Sequence, residues 1–234
     1  MIHKITAPKL LNPGSIDLLF KQVHEAEESG ARFLVLESRG DNFCDGLDLR
    51  WVTQNPGTDY MPQMQQYGAL LKKLQTGKFI SFALVKGDVS GGGLGLVCAC
   101  DYVIAAKDST YSLPEGLLGL IPGMILPALL NKLKPSVIKK MVFTGKKFDS
   151  TQALTWEIAD EVAEESSFDK ALEYAIASMK SCKKDSVGAV KELVYHSHVS
   201  KDEYAQMGMK ILSTRLNDAE IIERLQDLVA FMED

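Results

Sequence analysis

The chain has 234 residues, 46% of them hydrophobic, enough to bury a sizeable core in one globular unit with a small helical appendage. Its 26 basic and 31 acidic residues give a net charge of -5, and no block of Lys/Arg interleaved with aromatics suggests a nucleic-acid track. No apolar run reaches the length of a signal peptide or a membrane span, so the expected compartment is the cytoplasm.

In chain order, Ser15 can cap a helix running to about Gly30, with Ile16, Leu19, Val23 and Ala26 on one face. Residues 32–36 form a short, nearly all-apolar run, as expected of a parallel strand covered on both sides. That strand delivers the chain to a glycine motif, Phe43-Cys44-Asp45-Gly46-Leu47-Asp48. Asn55-Pro56-Gly57-Thr58-Asp59 reads as a loop able to close over a substrate, followed by a helix carrying Tyr67, Leu70, Leu71 and Leu74. The strand 79–85 then feeds a second glycine motif, Gly87-Asp88-Val89-Ser90-Gly91-Gly92-Gly93, and a helix over 94–99. Strands at 102–105 and 110–113 lead to Pro114-Glu115. Beyond Pro122-Gly123 the spacing predicts helices only: 126–133, a segment after Pro135, another from Ser150, and then 169–182, 186–196, 201–212 and 218–232.

Glycines placed just after apolar strands let the backbone approach a ligand and turn N–H groups toward it, which is how a protein holds a developing oxyanion without side chains. Taken singly these are ordinary turn glycines. Together with an acid in an apolar setting, Glu115 followed by Gly116-Leu117-Leu118-Gly119-Leu120-Ile121, they point to acyl-thioester chemistry, because that setting raises a carboxyl pKa toward the range useful for proton transfer. The plainer role for Glu115 is a helix N-terminal carboxylate held by backbone donors.

The pattern Phe43-x-x-Gly46-x-Asp48, then Gly87-x-x-x-Gly91-Gly92-Gly93, then Pro114-Glu115-x-x-x-Gly119-x-x-Pro122-Gly123, resembles the crotonase, or enoyl-CoA hydratase/isomerase, superfamily. The runs Leu74-Gln75-Thr76-Gly77, Gly92-Gly93-Leu94-Gly95-Leu96-Val97 and Tyr111-Ser112-Leu113-x-Glu115 are most similar to the dehydratases of polyketide β-branching cassettes, which act on a 3-hydroxy-3-methylglutaryl group. The resemblance implies an α/β fold, a crotonase-like spiral of ββα units, with a catalytic core at 1–180 and a C-terminal helical trimerisation region at 181–234. It implies Glu115 as the catalytic acid-base and the N–H groups of Leu47 and Gly92 as the oxyanion hole. It also implies a homotrimer or hexamer, no permanently bound cofactor, and a substrate carried on coenzyme A or on the phosphopantetheine of an acyl carrier protein.

One departure narrows the reaction. Family hydratases use a second glutamate where this chain has Gly95, so simple hydration of an enoyl thioester is disfavoured. A single glutamate suffices for syn-dehydration, and equally for Δ3 to Δ2 enoyl isomerisation; a catalytically silent thioester binder is the reading of another class.

The remaining candidates have two readings each. Asp45, beside the first oxyanion donor, binds a substrate group or serves the turn. Arg50 falls where related enzymes place a base near cofactor phosphates, or is a solvated surface side chain. Lys86 meets a substrate carboxylate or simply ends an exposed strand, while Gly91 borders the substrate. Tyr60, Met61, Met64 and Tyr67 line the acyl pocket or belong to the core. Cys44, Cys98, Cys100 and Cys182 form no Cys-x-x-Cys unit and are expected reduced, and His196 and His198, two apart, cannot share a helical face, so no metal site is expected. Asp88-Val89-Ser90-Gly91-Gly92 misses the nucleophile-elbow spacing at its first position, and a dinucleotide loop fails at Leu96.

Overall fold

A computed structural model describes residues 1–38, 40–197 and 201–232. The chain opens with strand β1 (Ile2–Thr6), helix α1 (Pro13–Glu28) and β2 (Phe33–Glu37). Helix α1 starts before Ser15. Asn12 Oδ1 accepts the Ser15 N–H at 3.0 Å, Ser15 Oγ accepts the Asn12 N–H at 3.0 Å, and Pro13 fills the first turn, where a missing N–H costs nothing. Helices α2 (Leu49–Gln54) and α3 (Met61–Thr76) follow, then β3 (Ile80–Val85), β4 (Asp88–Ser90), α4 (Gly92–Ala99), β5 (Tyr102–Ala106) and β6 (Thr110–Ser112). Asp48 caps α2 by accepting the Trp51 N–H at 3.0 Å.

A 3-10 turn, Pro114–Leu118, leads to α5 (Leu126–Lys132), α6 (Pro135–Thr144), β7 (Phe148–Asp149), α7 (Ser150–Thr155) and β8 (Glu161–Ala163). The last helices are α8 (Phe168–Met179), α9 (Lys184–His196), α10 (Lys201–Leu216) and α11 (Ala219–Phe231). Strands do return after Pro122, contrary to the sequence reading. Two and three residues long, β7 and β8 are too short for an alternating pattern to register, and β8 joins the sheet at its edge beside β5. Strand β1, at the opposite edge, also escaped notice.

Strands β1-β2-β3-β5-β8 form one parallel sheet, with Phe33 opposite Ile80 and Phe82 opposite Tyr102. A second sheet joins β4 to β6 in parallel and β6 to β7 antiparallel. Alternation sends Phe33, Val35, Phe82, Leu84 and Ile104 to one face of the main sheet, against Phe168, Leu172 and Ala175 of α8. Leu34, Leu36, Ala83, Val85 and Val103 face the main core with α1, α3 and α4. All eight residues of α4 are buried, which accounts for a helix that is apolar all round.

The C-terminal helices fold back onto this core. Lys191 of α9 is buried, its Nζ donating to Leu74 O at 2.7 Å and Phe79 O at 2.9 Å and pairing with Asp101 at 2.6 Å. Helix α10 packs on α3 and α5, and α11 on α2 and the 3-10 turn. Gly123, before α5, and Gly208 of α10 meet backbone to backbone: a Cβ on either would fall on the carbonyl of the other. The boundary expected at residue 180 lies between α8 and α9. Among the described residues no helix is long and apolar enough to cross a membrane.

Candidate active site

The two glycine motifs meet as neighbouring strands would. Cys44 bridges Val89 in parallel, and Ser90 N–H donates to Cys44 O at 3.0 Å. Around Leu47 the chain is held on both sides, since Leu11 N–H donates to Gly46 O at 2.8 Å and Asp48 N–H to Leu11 O at 3.0 Å. The Leu47 N–H between them is left without an acceptor among the described residues. Gly46 has φ +86°, and a Cβ there would lie 2.7 Å from Ser90 O and 3.3 Å from Gly92 N, so only glycine permits both the backbone angle and the approach. The Gly92 N–H, at the first turn of α4, also has no protein acceptor among the described residues, as helix geometry dictates. Tyr67, fully buried on α3, donates its hydroxyl to Gly92 O at 2.7 Å and pins that turn from behind.

Glu115 enters from the 3-10 turn, which Leu120 N–H closes onto Glu115 O at 2.8 Å. A Cβ on Gly91, where φ is +51°, would sit 3.1 Å from Glu115 Oε1, so the carboxyl lies directly against that backbone. Three buried side-chain oxygens lack a hydrogen-bond partner among the described residues, on Gln63, Gln75 and Glu115, and only that of Glu115 belongs to a carboxyl. Burial pushes the Glu115 pKa up to about 7, against a smaller opposing effect of a hydrogen bond from its own backbone N–H. Although the residue as a whole is half-buried, Oε2 has essentially no contact with solvent, which is the fact that bears on its ionisation.

Leu47, Gly91, Gly92, Glu115 and Asp45 line one cavity of about 80 Å³. Its remaining wall is mostly apolar and includes Leu120, Met124, Ile125 and Leu212. Asp45 is half-buried, and its Oδ1 accepts from Asn42 Nδ2 at 2.8 Å. The place of the second family glutamate is closed. A Cβ on Gly95 would lie 2.5 Å from Ile125 Cγ2, so the branched side chain of Ile125 occupies the space.

Three expected substrate-binding residues stand elsewhere. Lys86 pairs with Glu165 at 2.7 Å and does not line the cavity, because it leaves β3 toward the short 3-10 turn Glu165–Ser167 rather than toward the glycine loops. Tyr67 supports Gly92 from within the core. Arg50 lies on the exposed side of α2, engaged with the protein and outside the cavity wall. Tyr60 and Met64 line an adjoining apolar cavity of about 30 Å³ that shares Leu47, Met124 and Leu212 with the first, and Met61 packs on the core. Sequence reasoning missed Met124, Ile125 and Leu212 as wall residues; for Leu212 the signal was the spacing Met209-Leu212-Leu216, which marks an inward helical face. No group of three or more His, Cys, Asp or Glu poised for a metal occurs among the described residues, and His198 lies outside them.

A family model described as enoyl-CoA hydratase/isomerase matches residues 4–233. The chain belongs to the enoyl-CoA hydratase/isomerase family. Among its relatives, the bacillaene synthase dehydratase PksH of Bacillus subtilis is 30% identical over 160 residues, 68% of this chain and 62% of that one. The carnitinyl-CoA dehydratase of Proteus mirabilis is 28% identical over 139 residues, 58% of this chain and 52% of that one. The chain thus spans between half and two thirds of the length of these curated relatives. The crystal structure of pksH from Bacillus subtilis superposes with a TM-score of 0.89 at 23% identity, covering 98% of this chain and 93% of that one. The resemblance carried by the three motifs is shown, and so is the expected fold: a crotonase-like α/β architecture with C-terminal helices.

Proposed function

We propose that this family member is a lyase that removes water from a 3-hydroxyacyl group held as a thioester. The observation that carries the reading is the Glu115 carboxyl, its Oε2 buried and without a hydrogen-bond partner among the described residues, set against Gly91 in a cavity bordered by two unused N–H groups, with the second-glutamate site filled by Ile125. The thioester oxygen accepts from Leu47 and Gly92, and each such donor contributes about 3 to 4 kcal/mol as negative charge builds on that oxygen. The start of α4 adds the positive end of its dipole. Glu115, as carboxylate, takes the α-hydrogen; the electron pair moves onto the carbonyl oxygen. The pair returns to form the α,β double bond as the β-hydroxyl leaves, taking the proton from Glu115 and departing as water.

In its finer form the reading names a 3-hydroxy-3-methylglutaryl type of group in polyketide biosynthesis, carried on coenzyme A or on the phosphopantetheine of a carrier protein. The printed name of the PksH relative supports it. A cytoplasmic homotrimer or hexamer belongs to the same reading, supported by apolar side chains left exposed on α9 (Val190, Leu193) and α10 (Met207, Ile211). Incubating the protein with 3-hydroxy-3-methylglutaryl, 3-hydroxybutyryl and 3-enoyl thioesters on both carriers, and reading product mass and double-bond position, tests it. Loss of one water is expected; a shifted double bond without dehydration would make the chain an isomerase, and unchanged thioesters bound without turnover would make it a silent binder.

A further inference from the structure

Asp45 stands one residue before Gly46 and lines the same cavity as Glu115, the two being the ionisable side chains of that wall. A carboxylate beside an oxyanion site opposes the charge that forms there, so its presence needs a compensating contact. Asn42 bonds Oδ1 at 2.8 Å and spends its own Oδ1 on the Asp88 N–H at 3.1 Å, so the Asp45 side chain is held from the loop side. Oδ2 makes no hydrogen bond among the described residues, and it is not sealed in the protein as Glu115 Oε2 is. Helix α4 cannot supply a second acid, because Ile125 fills the space at Gly95.

We infer that Asp45 is a further catalytic residue, accepting a hydrogen bond from the substrate's β-hydroxyl and orienting it toward the Glu115 proton. The inference rests on the dehydration reading above. No proton changes owner at Asp45: its Oδ2 holds the hydroxyl hydrogen while Glu115 delivers the α-derived proton to the hydroxyl oxygen, and the same carboxylate then holds the water produced.

The Asp45→Asn variant keeps an oxygen for Asn42 and separates the two chemical steps. Dehydration of a 3-hydroxybutyryl thioester should fall about 100-fold, the scale on which a misplaced reacting group slows a reaction. Exchange of the α-hydrogen of a butyryl thioester with deuterated water, which has no hydroxyl to orient, should be unchanged or faster, since a negative charge near the oxyanion is gone. Equal losses in both assays would assign Asp45 to loop structure and overturn the proposal, as would undiminished dehydration. A wild-type protein that neither exchanges the α-hydrogen nor dehydrates would overturn the thioester reading and this inference with it, whereas an active wild type whose two activities are both lost in Glu115→Gln upholds that reading and leaves the Asp45→Asn assays to test this inference alone.

Discussion

Replacing Glu115 by Gln should make the protein slower and, above neutral pH, harder to unfold. Burial raises the Glu115 pKa from 4.5 to about 7, so ionising it in the folded chain costs up to about 3 kcal/mol more than in the unfolded chain. The sign follows from proton binding. At pH 4 both states hold the proton and there is no penalty. As pH rises from 4.5 the unfolded chain ionises first, so the penalty grows until about pH 7 and stays constant above it. Gln is neutral throughout, so the stability of the variant relative to wild type should climb by up to about 3 kcal/mol between pH 4 and pH 9. In a chain of this size that corresponds to about 6 to 12 °C in Tm. Turnover should meanwhile fall by at least about 100-fold, the lower end of what a positioned acid-base supplies. Thermal or urea denaturation of both proteins across the pH range, paired with product formation, measures the two effects. A pH-independent stability difference would refute the claim that the carboxyl is dry, and wild-type turnover would refute its role.

The wild-type kcat/KM should rise about tenfold per pH unit up to about 7 and then level off, as Glu115 loses its proton; a profile flat from pH 5 to 9 would contradict this. Gly95→Ala should destabilise by about 1 to 2 kcal/mol, because overpacking against Ile125 outweighs the better helix propensity. In a denaturation double-mutant cycle, Ile125→Ala should offset part of that loss rather than add to it. Lys191→Met should cost about 2 kcal/mol, since it strips the Asp101 carboxylate and the carbonyls of Leu74 and Phe79 of their shared donor; guanidine unfolding reads this directly, and an unchanged midpoint would show that the contacts of Lys191 contribute nothing.

The part of the cavity wall built from the glycine motifs and Glu115 was legible because it is written in local terms. Gly46, Gly91 and Glu115 sit beside apolar strands in a set order, and backbone demands such as φ +86° at Gly46 leave glycine as their trace. Long periodic elements such as α1 and α3 declared themselves for the same reason. What could not be read depended on partners distant in sequence. Lys86 was ambiguous until Glu165 came beside it, and Tyr67 stood open between pocket and core until the Gly92 carbonyl proved to be its partner. Strands β1 and β8 hold their places through pairing with β2 and β5, a property no single short run of residues carries.

The flush contact of Gly123 with Gly208 ties chemistry to the order in which the chain is made. The amides and the acid are all synthesised by residue 115, yet Leu212, which lines the same cavity, comes nearly a hundred residues later. An emerging polypeptide therefore carries Leu47, Gly92 and Glu115 long before the cavity around them is closed. On the dehydration reading, competence waits for α10 to dock, so shortening the tail is expected to abolish turnover while leaving each of those groups in place.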